Sequence, residues 1–132
     1  MSEKNLRHAV RDALKPAFVL QVENGVVMGT PDTYACFEGR GFWVELKFAE
    51  VIPARASTSL FKSLNRGLTV EQEAVLFKMW QYAPRSAWVL LRIGKAHYLV
   101  PGYLSYNIVD FTLAEFAPYE LKLSDLRSTL LT

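Results

Sequence analysis

The chain has 132 residues, 51% of them hydrophobic and 21% charged, which supports one domain with its own core and excludes a disordered tail. It holds no run of ~18 apolar residues, which excludes an ordinary membrane span, and its first residues, MSEKNLRHAVRD, lack the apolar core of a secretory signal. Net charge is only +2, a weak pull on nucleic acid, and the single cysteine, Cys36, rules out an internal disulfide and points to a reducing cytoplasm.

Apolar residues at Leu6, Val10 and Leu14 predict a helix over residues 3–14, ended by Pro16. Residues 18–22 read as a strand, with Asn24-Gly25 as a turn signal after it. Residues 33–37 and 42–49 read as a hairpin, joined through Glu38-Gly39-Arg40-Gly41. Residues 50–67 carry Pro53 and no sustained period, so they read as a mobile loop of the kind that often serves function. Residues 51–70 hold Arg55, Lys62 and Arg66 and no acid, a footprint that suits a phosphate backbone. Charge alone fits a solvated connection as well.

Thr69 opens a helix to about Tyr82, stopped before Pro84. Its apolar residues Val70, Ala74, Val75, Leu76, Phe77, Met79 and Trp80 cover more than one stripe, which predicts deep burial or a surface shared with a partner. Residues 87–93 and 96–100 read as strands around Gly94-Lys95, and residues 123–131 as a short helix with Ser124 as N-cap. The order α-β-β-β-α-β-β predicts an α/β fold, a mixed sheet flanked by helices. One domain spans 1–132, with a core over about 1–100 and a C-terminal extension over 101–132.

Strand 42–49 carries the chemistry. Side chains alternate along a strand, so Phe42, Val44, Leu46 and Phe48 face a core while Trp43, Glu45, Lys47 and Ala49 face the other way. Glu45 and Lys47 are next neighbours on one face, and Asp32 enters the adjacent strand of the hairpin. Two converging carboxylates repel unless a cation lies between them, and hard oxygen ligands suit Mg²⁺ or Mn²⁺. An ammonium beside that ion can polarise water or stabilise charge on a phosphate, which fits hydrolysis of a phosphodiester. A bare Glu-x-Lys is also common as a solvated pair on a surface strand, with Asp32 as a turn residue after Pro31.

Gly29-Thr30-Pro31-Asp32, then twelve residues, then Glu45-Leu46-Lys47, resembles the motif of the PD-(D/E)XK nuclease superfamily. The run Leu68-Thr69-Val70-Glu71-Gln72 is similar to the branch containing VRR-NUC nucleases and phage or archaeal Holliday-junction resolvases, although no Val-Arg-Arg tripeptide occurs and Leu91-Arg92-Ile93 is at best a remnant. The resemblance covers roughly residues 1–100 and implies a restriction-endonuclease-like core. It further implies that Asp32, Glu45 and the Leu46 backbone carbonyl bind the metal, that Lys47 orients the attacking water, and that Gln72 stands near the site. Thr69-x-x-Gln72 is equally a capping box. Glu3 is the candidate third acid, with Glu23 as its rival; an acid in a first helical turn is favoured by the dipole in any case.

These residues point to a Mg²⁺-dependent DNA endonuclease (Mn²⁺ substituting), a structure-selective Holliday-junction resolvase acting on branched DNA as a homodimer. Arg55, Lys62 and Arg66 are its expected DNA contacts, and it works in the cytoplasm, a host's if the chain is phage-encoded, without a membrane partner. The alternatives are a nicking, flap or single-strand nuclease, or a catalytically silent nucleic-acid-binding module. His8 and His97 lie far apart in sequence and outside any Cys/His cluster, which argues against zinc. Cys36 reads as a small buried residue, and Trp80, Tyr82 and Trp88 as core rather than stacking platforms for bases.

Overall fold

Residues 3–22, 28–49, 59, 61 and 67–132 are described in the computed structural model; the predicted Asn24-Gly25 turn and most of the predicted loop lie outside them. Leu6, Val10 and Leu14 repeat every four residues along α1 (Glu3–Leu14), and all three are fully buried against a sheet. The strands are β1 (Phe18–Gln21), β2 (Thr33–Phe37), β3 (Arg40–Ala49), β4 (Ala87–Ile93), β5 (Ala96–Pro101) and β6 (Glu120–Leu121), in that spatial order. Every neighbouring pair is antiparallel except β3 and β4. That parallel pair needs a long crossover, and α2 (Val70–Tyr82) lies on it.

The β2–β3 turn is tighter than the expected four-residue connection. Glu38 and Gly39 both adopt positive φ, 53° and 73°, which matches the twist of a two-residue hairpin, so β3 begins at Arg40 rather than Phe42.

Alternation along the strands feeds two cores. Ala35, Phe37, Phe42, Val44, Leu46 and Leu90 face α1, together with Leu126 and Leu130 of the C-terminal helix α4 (Leu126–Leu131). Ala49, Val89, Leu91, Ile93 and Val100 line the opposite face with Leu76 of α2, Phe61, Ile108 and Phe116. Strand β4 is buried on both faces, which is why AWVLLRI reads as a continuous apolar run.

Of the two outcomes expected for α2, deep burial or a surface shared with a partner, deep burial is only partly met: Leu76 alone of its residues is fully buried, while Val70 and Tyr82 are 74% and 87% exposed. Tyr82 is therefore not a core residue, whereas Trp88 is buried and packs edge-to-face on Trp80. Cys36 is half-buried.

Residues 101–132 pack into both cores. Phe116 ends the short helix α3 (Leu113–Phe116), and Arg127 donates to the Leu14 and Pro16 carbonyls at 2.7 and 2.6 Å, closing the C-terminal end of α1. The tail helix is capped differently from the expectation. Ser124 lies inside a 3₁₀ turn (Leu123–Asp125), and Asp125 is the N-cap, without a side-chain cap bond. Ser59 is anchored by its hydroxyl on the Val109 carbonyl at 2.7 Å, and Phe61 is buried beside Phe116. Among the described residues no helix is long and apolar enough to cross a membrane.

Candidate active site

Asp32, Glu45 and Lys47 come together at the point where β2 begins beside the middle of β3. The register pairs Thr33 with Val44, so Asp32 stands just before the ladder, next to Glu45. Its carboxylate fills the place where a further ladder bond would form: Oδ1 accepts the Leu46 amide at 3.1 Å and the Thr33 hydroxyl at 3.1 Å. In an extended strand the N–H and C=O of one residue point to the same side. The Leu46 carbonyl is therefore directed toward the Asp32 side of β3, as a metal-ligating carbonyl requires.

Glu45 is 4% exposed, so this is not a solvated surface pair. It lies on the α2 side of the sheet, between Trp43 and Lys47 along the strand and beside Val89 of β4. Burial, then the charge of Asp32, pushes its carboxyl up to about 8, against the opposing pull of Lys47. A hydrogen bond between the two carboxyl groups favours the same protonated state. At neutral pH the pair retains a proton that two free carboxylates would have lost.

The loop before Asp32 rests on the start of α2. Gly29 has φ +86°, and a Cβ there would lie 2.4 Å from the Glu71 carbonyl oxygen, so only glycine allows this approach. Gln72 is thereby placed on the helix end that abuts the motif. Its Oε1 accepts the Thr69 amide at 3.0 Å while Thr69 Oγ1 accepts the Gln72 amide at 3.1 Å. The capping box is formed, and the Gln72 side-chain NH₂ takes no part in it.

Glu3 is the first residue of α1, but its side chain lies outside the described residues, as do Glu23, Arg55, Lys62 and Arg66 altogether. Among the described residues no group of three or more His, Cys, Asp or Glu side chains gathers, His8 and His97 included. The donors that do meet are hard: two carboxylates and a backbone carbonyl directed toward them. That set fits Mg²⁺ or Mn²⁺, and the proton retained by Glu45 is what such a cation would displace.

Two residues beyond the motif support Asp32. Thr33 is fully buried, and its hydroxyl lies 3.1 Å from both Asp32 Oδ1 and Gln21 Oε1. One hydroxyl has one proton, and Gln21 Nε2 is buried without a partner. Turning the Gln21 amide over lets its nitrogen donate to Thr33, which then donates to Asp32. The sequence signal for this pair is weak, because Thr is a common strand former and Gln21 lies twelve residues away.

No family model matches the chain, and no curated protein matches its sequence. Among solved structures the fold is similar to that of Archaeoglobus fulgidus Hjc, a Holliday junction resolvase from an archaeal hyperthermophile. The TM-score is 0.62 at 15% identity, over 95% of this chain and 96% of that one. The mixed six-stranded sheet with flanking helices is thus the restriction-endonuclease-like architecture expected from the sequence.

Proposed function

We propose that this chain is a metal-dependent endonuclease that hydrolyses phosphodiesters of branched DNA, as a junction resolvase of the PD-(D/E)XK type. The observation that carries the reading is the convergence of Asp32, Glu45 and Lys47, with Glu45 buried and its carboxyl raised to about 8. The likeness in fold to a Holliday junction resolvase supports the choice of substrate, and it extends over nearly the whole chain.

Asp32, Glu45 and the Leu46 carbonyl would hold Mg²⁺, with Mn²⁺ able to replace it. Such an ion supplies an acidified water and neutralises charge on the phosphate. Lys47 orients the water and faces the developing negative charge. The Leu46 amide and the Thr33 hydroxyl fix the Asp32 carboxylate. Gln72 caps the end of α2 that abuts the motif and offers its NH₂ toward the bound strand. Glu3 completes the acidic set from α1, Glu23 being the alternative, and Arg55, Lys62 and Arg66 grip the DNA beside the site. A four-way junction has two symmetric strands to cut, and a C2 homodimer presents two such sites at a fixed separation.

A cleavage assay on four-way junctions, flaps, single strands and linear duplex, with Mg²⁺ or with EDTA, tests the reading. Junctions are cut fastest, in symmetric pairs, and only with the metal. Cutting of flaps or single strands in preference would reassign the substrate. Cutting in EDTA would remove the mechanism.

A further inference from the structure

Lys4, Arg7, His8 and Arg11 occupy α1 at i, i+3, i+4 and i+7, so one stripe of the helix is basic throughout. With Gln21 of β1 these four side chains line a groove of about 290 Å³. Like charges at this spacing destabilise a helix. Among the described side chains, which do not include that of Glu3, no carboxylate pairs with any of them.

Beneath the groove Arg7 Nε is buried without a hydrogen-bond partner. A buried unsatisfied donor is destabilising, so Arg7 adds strain beneath a surface whose uncompensated charge already favours an anion. An anion with several oxygens meets the charge of Lys4, Arg7 and Arg11 together.

We propose that this groove binds a phosphate of the nucleic-acid backbone, on the α1 face of the sheet end whose α2 face carries Asp32 and Glu45. The proposal rests on the nuclease reading for the identity of the ligand, but not for the presence of an anion site. Gln21 borders the groove and lies 3.1 Å from Thr33, which lies 3.1 Å from Asp32. A strand passing over the ends of β1 and β2 therefore has one phosphate held by α1 and another at the carboxylates. Phosphate contacts of this kind set register and carry no sequence information.

The test is equilibrium binding of a fluorescent four-way junction and of a linear duplex, in EDTA to prevent cleavage, across a range of salt. Arg7→Gln with Arg11→Gln should lower the slope of log affinity against log salt by about 0.9 to 1.8, one or two phosphate contacts. Affinity should fall for both DNAs. Lys4→Gln with Arg11→Gln changes only exposed side chains and gives the same result if the first variant fails to fold. Lys95→Gln with Lys122→Gln removes the same charge elsewhere and should leave the slope nearer the parent value. Equal losses in this control, an unchanged slope in the α1 variants, or no DNA binding by the parent protein would each overturn the proposal. A parent that cleaves while the α1 variants keep its slope loses the groove and keeps the nuclease. A parent that never cleaves, with the slope lowered only in the α1 variants, does the reverse.

Discussion

The Leu46 amide donates to Asp32 Oδ1 at 3.1 Å, and Leu46 stands between Glu45 and Lys47 in the chain. One hydrogen bond thus ties the first acid of the motif to the strand that carries the rest. The bond also explains why β2 starts at Thr33: Asp32 uses its side chain where a strand residue would use its backbone.

Removing either acid should abolish metal-dependent cleavage. Asp32→Asn keeps an acceptor for the Leu46 amide, and Glu45→Gln keeps the shape of a buried side chain, so both should fold. Acids held together for function usually lower stability, so a melting temperature equal to or above the parent's is expected. Single-turnover cleavage in Mg²⁺ and thermal unfolding in EDTA provide the two readings. Full activity in either variant would remove the metal assignment.

Lys47→Ala should slow cleavage by roughly 10²-fold or more, the loss of one preorganised electrostatic group. Junction affinity in EDTA should change little, since one partly exposed cation contributes modestly to binding. A matching fall in affinity and rate would make Lys47 a phosphate contact instead.

The fold was legible where a short period governs it. Leu6, Val10 and Leu14 mark one helix face, and the alternation from Phe42 to Phe48 marks one sheet face, because both patterns are local. Glu45 was legible as a motif residue but not as a buried one. Strand alternation alone does not reveal what lies above a face. Tyr82 follows the same logic in reverse, since an aromatic near a helix end reads as core until the helix is found to turn it outward. The N-cap of α4 moved from Ser124 to Asp125 because a 3₁₀ turn precedes the helix, and cap preferences do not distinguish the two. The basic stripe of α1 carries no motif in the sequence; its groove and the buried Arg7 Nε set it apart in the structure.

Thr33→Val should separate positioning from folding. Losing the hydroxyl leaves Gln21 and one Asp32 bond unmet in a buried place, which costs about 1–3 kcal/mol. Because Thr33 holds the carboxylate proposed to bind the metal, activity at fixed Mg²⁺ should fall by roughly 10–100-fold and recover in part at higher Mg²⁺. Thr33→Ser retains the hydroxyl and should restore metal dependence even where packing loss persists. A loss in Thr33→Val that more Mg²⁺ leaves untouched, or one that Thr33→Ser shares in full, would reduce Thr33 to a packing role.

Glu45 also gives the protein a pH dependence of stability with a definite sign. Its carboxyl is raised from 4.5 to about 8 in the folded chain, chiefly by burial and then by Asp32. Between those values the folded state holds a proton that the unfolded state has released, so metal-free stability falls as pH rises through the window and levels off above about 8. His97 works against this trend: burial and the Arg92 charge lower its pKa, so its contribution grows as pH rises toward 6.5. Comparison with Glu45→Gln cancels His97 and isolates the Glu45–Asp32 pair. In EDTA the parent's melting temperature should fall relative to the variant's as pH rises from 5 toward 8, and the gap should then stay constant. Since the cation must displace the retained proton, Mg²⁺ affinity of the parent should increase over the same interval. Parallel melting curves for parent and variant across the window would show that Glu45 ionises normally, and the crowded carboxylate pair could not then be what draws the metal.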